Sequence, residues 1–267
     1  MANEALARLA ATILLLRDGA AGLEVFMVVR HHAIDFASGA LVFPGGRLDD
    51  NDHTVAANAA LCPNPGGLDA TDLAFRVAAI RETFEECGVF LARPRGEQAL
   101  IDAERLRAIK AAHQEELAAG RLAFDTVLDT HNLTPAIDLL TPYAHWITPS
   151  HQPKRYDTKF FVARAPDEHL AVHDGSESVD SVWISPQKVI DDTRAGRFKL
   201  VFATEMNVKR LAKHDSVDSV IAEAARTPVV TVQPRVIKRD GDRRTLIIPI
   251  EAGYGGPEFT VDNPPAS

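Results

Sequence analysis

Three glutamates on one face of a predicted helix constrain this chain more than any other feature of its sequence. Residues 81–89 read Arg-Glu-Thr-Phe-Glu-Glu-Cys-Gly-Val. At about 100° per residue, Glu82, Glu85 and Glu86 share one face of that helix. The opposite face carries an apolar stripe made of Leu73, Val77, Ile80 and Phe84. Crowded carboxylates repel one another, so the acidic face predicts a bound hard cation, Mg²⁺ or Mn²⁺. A solvated acidic helix surface is the alternative.

The length and charge of the chain argue against several classes of protein. With 267 residues, 46% of them apolar, the chain suits one large domain with additions. A net charge of −8 argues against a nucleic-acid-binding protein, which usually carries a basic patch. Cys62 and Cys87 are too few for a disulfide framework, so we expect a cytoplasmic protein. No apolar run approaches the roughly 20 residues that cross a bilayer, so we expect no membrane partner.

A glycine turn precedes the acidic helix. The successive glycines of residues 43–46, Phe-Pro-Gly-Gly, let the backbone approach a ligand or a metal closely, and a simple tight turn is the alternative. The acidic run 49–52 resembles a calcium loop but lacks its glycine and its final glutamate, so we predict a solvated loop. The acidic helix then begins after Asp69 or Thr71 and stops at Gly88.

Apolar runs and amphipathic segments predict the other elements. Strands are predicted at residues 10–16, 23–30, 40–43, 143–148, 156–164 and 179–184. Helices are predicted at residues 101–119, 124–128, 186–195, 204–214 and 217–225. A hairpin that turns at Asp240-Gly241 is predicted over residues 229–238 and 245–250. The run Leu9–Leu16 resembles a short signal-peptide core, but charged residues flank it, so we interpret it as a buried strand.

The acidic helix resembles the second half of the Nudix box, the pattern G-x5-E-x7-R-E-U-x-E-E-x-G-U in which U is aliphatic. The residues that match this half are Arg81, Glu82, Glu85, Glu86, Gly88 and Val89. Thr83 departs from the pattern, because it stands where an aliphatic residue is expected.

The first half of the box is interrupted. If Gly46 is the opening glycine, Asp52 takes the position of the first glutamate, and residues 53–80 stand where the pattern has seven residues. A register that begins at Gly67 would place Leu73 at the acidic position and would lose the glycine turn. We therefore prefer the register that begins at Gly46.

Flanking segments narrow the resemblance to one branch of the Nudix family. Residues 37–46, 90–93 and 155–161 are similar to the branch of the peroxisomal coenzyme A diphosphatase of animals and its bacterial relatives. The similarity spans residues 8–213, most of the chain.

The resemblance implies an α/β fold, an α/β/α sandwich around a mixed sheet in which the box forms a loop, a helix and a loop. It places the Nudix domain at residues 8–226, with an insertion at 53–70 inside the box and a helical addition at 101–130. Residues 227–267 are predicted to form a C-terminal β-hairpin extension. A homodimer contact through this extension is a hypothesis.

The resemblance also implies roles for residues of the box. Glu82, Glu85 and Glu86 would hold Mg²⁺ or Mn²⁺. The Gly46 carbonyl would be a further metal ligand, and Arg81 would orient the carboxylates. A pyrophosphate concentrates negative charge, which metal ions neutralise while they lower the pKa of the attacking water. We therefore expect Glu85, Glu86 and Arg81 to be catalytic residues.

Four candidates lie outside the acidic helix. Glu177 occupies a loop position where many Nudix proteins place an acidic residue, so it is a candidate catalytic residue, and a loop charge is the alternative. Arg30, at the end of a predicted strand, and Gly45, in the turn, are candidate substrate-binding residues. Arg155 could bind a substrate phosphate, and pairing with Asp157 or another carboxylate is the alternative.

These implications favour a metal-dependent Nudix pyrophosphohydrolase whose partner is a nucleoside diphosphate linked to a second group. Coenzyme A or acyl-CoA, cleaved to 3′,5′-ADP and (acyl-)4′-phosphopantetheine, is the first predicted substrate. ADP-ribose, NADH or a dinucleoside polyphosphate is the alternative. A non-catalytic nucleotide-binding Nudix module is the hypothesis of another class, and Thr83, Asp52 and the insertion motivate it.

Overall fold

The computed structural model describes residues 6–30, 40–64, 66–150, 152–167, 169, 178–241 and 243–262. The strands in this part of the chain are β1 (Arg8–Gly19), β2 (Gly22–Arg30), β3 (Leu41–Val42), β4 (Gly45–Arg47), β5 (Ala92–Pro94), β6 (Leu133–Pro135), β7 (Thr141–Ile147), β8 (Tyr156–Arg164), β9 (Ser178–Ile184), β10 (Thr231–Val232), β11 (Arg235–Asp240), β12 (Arg243–Ile247) and β13 (Glu258–Asp262). The α-helices are α1 (Asp50–Ala57), α2 (Ala70–Cys87), α3 (Ala103–Ala118), α4 (Phe124–Thr130), α5 (Pro186–Arg194), α6 (Phe202–Leu211) and α7 (Val217–Arg226). Among the residues described, no helix combines the length and the apolar character needed to cross a membrane.

An eight-stranded mixed sheet forms the centre of the fold. Six strands run in the order β10-β7-β8-β1-β2-β3, while β4 pairs with β1 and β9 pairs with β2. Strand β1 is parallel to β8, and β10 is parallel to β7. On its other edge, β1 pairs with β2 over residues 16–19 and with β4 over residues 10–12. The glycine turn therefore takes the place of β2 beside the first half of β1.

Helices cover both faces of the sheet, which confirms the predicted α/β sandwich. Helices α1 to α4 enclose one core, to which β1 contributes Ile13 and Leu15. Helices α5 to α7 enclose the other, to which β1 contributes Leu14 and Leu16. Consecutive side chains of a strand point to opposite faces, so the continuous apolar run of β1 matches a strand that is buried on both faces.

Helix α2 begins and ends at the predicted residues. The side chain of Asp69 caps the first turn and accepts the Asp72 N–H at 2.8 Å. Gly88 ends the helix with a φ of 67°, a conformation that glycine adopts without steric cost. Thr83 is fully buried, and its hydroxyl donates to the Ala79 carbonyl oxygen at 2.7 Å. The helix backbone thus satisfies the polar group that stands at the aliphatic position of the box.

The segment 49–52 begins helix α1, so the predicted solvated loop was wrong. Asp49 is the N-cap, and its carboxylate accepts the Asn51 N–H at 2.6 Å. The Asp52 carboxylate in turn accepts the Asp49 N–H at 2.8 Å, which completes a capping box. Asp52 is fully buried. Because α1 continues to Ala57, the first residues of the predicted 53–70 insertion are helical.

The C-terminal residues form more than a hairpin. Strands β11 and β12 pair antiparallel on either side of Gly241, and β13 adds a third strand that the sequence did not predict. Strand β10 joins the edge of the main sheet beside β7. Phe259 of β13 packs against Phe202 of α6 at a ring distance of 5.6 Å, so the small sheet rests on the side of the molecule that α6 covers.

Two histidines meet at the end of the helical addition. The Nε2 atoms of His113 in α3 and of His131, the residue after α4, lie 2.9 Å apart. Burial lowers the pKa of His131, and the charges of His113 and Arg105 lower it further. The folded protein therefore favours the neutral form of His131.

This pair predicts a loss of stability in acid. Because the unfolded pKa of a histidine is about 6.5 and the folded pKa of His131 is lower, the unfolded chain binds more protons. The contribution to stability is complete above about pH 6.5 and decreases as the pH falls toward the folded pKa. We expect His131→Gln to flatten this slope in urea unfolding between about pH 7.5 and 5.5. An unchanged slope would contradict the prediction.

Candidate active site

The glycine turn lies against the first half of β1 and against the acidic helix. Gly45 and Gly46 pair with Thr12 and Ala11, and Gly45 has a φ of 152°. A Cβ at Gly45 would lie less than 3.0 Å from the Ala11 carbonyl oxygen, and a Cβ at Gly46 would lie less than 3.0 Å from the Glu82 carboxylate. The absence of both side chains therefore lets the turn touch the acidic face of α2.

Arg81 is the centre of the cluster. Its Nε and Nη2 atoms donate to the two oxygens of Asp52, each at 2.9 Å, in the two-point geometry that suits a guanidinium and a carboxylate. Its Nη1 atom donates to Glu85 Oε1 at 3.0 Å and lies 3.0 Å from Glu82 Oε1. Its Nη2 atom also donates to the Arg47 carbonyl oxygen at 2.9 Å. One guanidinium thus holds three carboxylates in fixed positions.

Asp52 occupies the acidic position that the Gly46 register assigns to it. Although 29 positions separate Asp52 from Arg81 in sequence, α1 packs beside α2 and brings the two side chains together. The alternative register would place Leu73 at this position, but Leu73 is buried in the apolar core. The insertion therefore lengthens the connection without removing the acidic partner of Arg81.

The cluster carries more negative than positive charge. Three carboxylates contact Arg81, and a fourth, that of Glu86, accepts the Gly45 N–H at 3.0 Å. Burial raises the pKa of Glu85 to about 7; Arg81 opposes this rise, and the neighbouring Glu82 adds to it. Without a metal ion, Glu85 is therefore partly protonated near neutral pH. A further positive charge would favour its ionised form.

The donor set fits a hard divalent cation in its chemistry. Carboxylate and carbonyl oxygens are the ligands that Mg²⁺ and Mn²⁺ prefer, and the excess negative charge favours a cation. Over the described ranges, however, no three His, Cys, Asp or Glu side chains converge as a formed metal site. The carboxylates do not converge because Glu82 and Glu85 turn toward Arg81 and Glu86 turns toward Gly45. A cation would compete with these partners for the same oxygens.

The structure describes two of the three remaining candidates, Arg30 and Arg155. Glu177 lies outside the described residues, so its catalytic role stays a prediction. Arg30 is the last residue of β2, and its backbone pairs with Ser178 of β9. Arg155 is only 9% exposed, and its Nε atom donates to the Thr148 carbonyl oxygen at 3.2 Å, which holds it at the turn between β7 and β8. The substrate-binding roles of Arg30 and Arg155 also stay predictions.

Sequence reasoning missed three contacts of this site. The box pattern located Asp52 but did not show that it is buried against Arg81. No sequence signal points to the Arg47 carbonyl, because any residue supplies one. Gln114 of α3 donates to the carbonyl oxygens of Phe84 and Glu85 in the acidic helix, and no pattern in an added helix indicates such a contact.

A family model described as the NUDT19 Nudix domain matches residues 64–211. The match contains all of α2 and ends at the last residue of α6. It begins after Asp52, so the glycine turn and α1 precede it. The matched range thus begins within the insertion that divides the box.

Named relatives and a solved structure extend the similarity. Acyl-coenzyme A diphosphatase NUDT19 of Gallus gallus is 28% identical over 221 residues, which cover 65% of this chain and 57% of that protein. The Homo sapiens protein of the same name is 25% identical over 242 residues, with 75% and 64% covered. The chain spans about half to two thirds of the length of the curated relatives it matches. The crystal structure of a NUDIX hydrolase from Alicyclobacillus acidocaldarius superposes with a TM-score of 0.70 at 26% identity, over 82% of this chain and 97% of that one.

Proposed function

The chain belongs to the NUDT19 Nudix domain family, and we propose that it is a divalent-metal-dependent hydrolase of nucleoside diphosphates linked to a second group. The observation that carries this proposal is the cluster around Arg81. It presents three box glutamates beside a glycine turn, and its excess negative charge suits cations that would in turn bind an anionic pyrophosphate.

The residues of the cluster divide the work of this reaction. The divalent ions would be held by Glu82, Glu85, Glu86 and the Gly46 carbonyl. A bound ion neutralises pyrophosphate charge and lowers the pKa of the attacking water. Arg81 keeps Glu82 and Glu85 at fixed positions, and the Gly45 N–H does the same for Glu86. The pKa of about 7 that burial gives Glu85 belongs to the metal-free cluster; a bound ion would keep Glu85 ionised, and Glu177 is the candidate for the general base.

We infer that the substrate is coenzyme A or an acyl-CoA. The support is the name of the relatives, acyl-coenzyme A diphosphatase NUDT19, at 25% to 28% identity. Water would cleave the P–O–P bridge, so each product would keep one of the two phosphates that the bridging oxygen joins. The products would be 3′,5′-ADP and (acyl-)4′-phosphopantetheine.

A substrate panel tests the proposal. The panel contains coenzyme A, short and long acyl-CoA, ADP-ribose, NADH and diadenosine tetraphosphate, each with Mg²⁺, with Mn²⁺ and with EDTA. We expect metal-dependent release of 3′,5′-ADP from coenzyme A or an acyl-CoA. Hydrolysis of only ADP-ribose, NADH or the dinucleotide would refute the substrate and keep the reaction class. Tight nucleotide binding without turnover would identify a binding module instead.

Gly46→Ala tests the contact between the turn and the acidic helix. The added Cβ would overlap the Glu82 carboxylate, so either the carboxylate or the turn must move. Because a displacement of about 1 Å can reduce a rate by about 10²-fold, we expect a loss of kcat of that order. Gly256→Ala is the matched control, since a Cβ there meets no atom within 4 Å. Equal activity in the two variants would contradict the assigned contact.

A further inference from the structure

Helix α3 lies against the C-terminal end of the acidic helix. The Gln114 side chain, 6% exposed, donates from Nε2 to the carbonyl oxygens of Phe84 at 2.9 Å and of Glu85 at 2.8 Å. One turn earlier on α3, Lys110 lies beside Gly88, because a Cβ on Gly88 would come within 3.0 Å of Lys110 Nζ. Two side chains of the helical addition therefore face the last turn of α2.

These two side chains complement the carbonyl groups and the negative charge at the C-terminal end of α2. The last four carbonyls of a helix have no partner within it, and the helix dipole disfavours negative charge at this end. Glu85 and Glu86 nevertheless lie here, and the last turn of α2 contains no basic residue of its own. Lys110 brings the missing positive charge, and the Gln114 amide satisfies the Glu85 carbonyl.

The position of the Glu85 carbonyl bears directly on the site. The backbone carbonyl oxygen of Glu85 accepts a hydrogen bond from Gln114 at 2.8 Å. Its side-chain Oε1 accepts one from Arg81 at 3.0 Å. The next residue, Glu86, is held by the Gly45 N–H. A loosened last turn would shift both carboxylates relative to their partners, which are Arg81 in the preceding turn of the helix and Gly45 in the sheet.

We propose that Gln114 is a positioning residue for the box glutamates. Its amide fixes the turn that carries Glu85 and Glu86 through two hydrogen bonds to backbone oxygens of that turn. The helical addition is thereby part of the support of the active site. The link to hydrolysis rests on the proposed function, whereas the link to the geometry of α2 does not.

Two substitutions of Gln114 separate the effect of its amide donor from the effect of its side-chain length. Gln114→Met keeps the length and much of the volume of the side chain but removes the donor. Gln114→Asn keeps the amide but shortens it by one methylene, so the amide no longer reaches both carbonyls. The control is Leu117→Ala on the same helix, because Leu117 is a core residue and its loss reduces packing without removing a donor to α2.

Three measurements are made on each protein: amide hydrogen exchange over residues 84–90, Mn²⁺ binding followed by electron paramagnetic resonance, and kcat with KM. For both Gln114 variants we expect faster exchange at the end of α2 and an affinity for Mn²⁺ lower by about 10-fold. We also expect kcat to fall by about 10- to 100-fold with little change in KM. Leu117→Ala should lower Tm and leave these quantities near wild type.

The outcomes distinguish the two proposals. Unchanged exchange and unchanged Mn²⁺ affinity in Gln114→Met would overturn the positioning role. Equal losses in Leu117→Ala would overturn it too, because they would show that a general loss of packing has the same effect as the loss of the Gln114 amide. If the wild-type protein hydrolyses no substrate while Gln114→Met still loosens the end of α2 and weakens Mn²⁺ binding, the proposed function fails and the positioning role holds.

Discussion

Glu85→Gln is expected to lower kcat by about 10²- to 10³-fold, the loss typical of removing one group that stabilises charge in a transition state. Glutamine has nearly the same shape, so its amide oxygen keeps the contact that Glu85 makes with Arg81 at 3.0 Å. The variant loses the negative charge that would hold a cation. The measurement is kcat and KM at saturating Mg²⁺. Glu251→Gln, an exposed change in the C-terminal extension, is the control, and wild-type turnover in Glu85→Gln would contradict the role of this carboxylate.

The same substitution is expected to stabilise the metal-free protein. The folded pKa of Glu85 is about 7 and the unfolded value is about 4.3, so the folded protein binds more protons between these values. Wild-type stability therefore decreases as the pH rises through that window, because burial penalises the carboxylate. Glutamine does not ionise, so above pH 7 the variant should be more stable by an amount on the order of 1–3 kcal/mol. A variant that is less stable at high pH would show that attraction to Arg81 outweighs burial.

The two ends and the acidic face of α2 were predictable because their signals are local. The Asp69 cap acts within one turn, the left-handed conformation of Gly88 depends on a single residue, and the 3.6-residue period places Glu82, Glu85 and Glu86 together. Strand β8 was predicted with the bounds that it has, residues 156–164. Such features need no knowledge of what packs against them.

The partners of the acidic helix were not predictable in the same way. The acidic run 49–52 would favour solvent on its own, and it is the buried guanidinium of Arg81, 29 positions away, that reverses this preference for Asp52. Gln114 resembles any polar residue of an amphipathic helix until α3 lies at the end of α2. Both contacts depend on tertiary packing, which a window of neighbouring residues does not contain.

Asp52→Ala is expected to reduce the free energy of unfolding by about 3–5 kcal/mol, the range for removing one partner of a buried ion pair. Asp52 is fully buried and Arg81 is 7% exposed, so the substitution leaves a guanidinium in the core with two donors that have lost their acceptors. It also removes one half of the capping box that begins α1. In a protein of this size the expected fall in Tm is about 10 °C, measured by thermal unfolding of the metal-free protein.

Asp50→Ala provides the matched control, because Asp50 lies in the same turn of α1 but is exposed, and surface changes usually alter stability by less than about 0.5 kcal/mol. Equal Tm values for the two variants would mean that the Arg81–Asp52 pair contributes little. Asp52→Asn should have a Tm between theirs, since its oxygen still accepts from Arg81 Nε while its amide opposes Nη2.

Arg81 also holds Glu82 and Glu85, so its release should lower kcat at temperatures where Asp52→Ala remains folded. Loss of kcat without loss of fold would show that Asp52 supports the box glutamates through Arg81, across the insertion that divides the box.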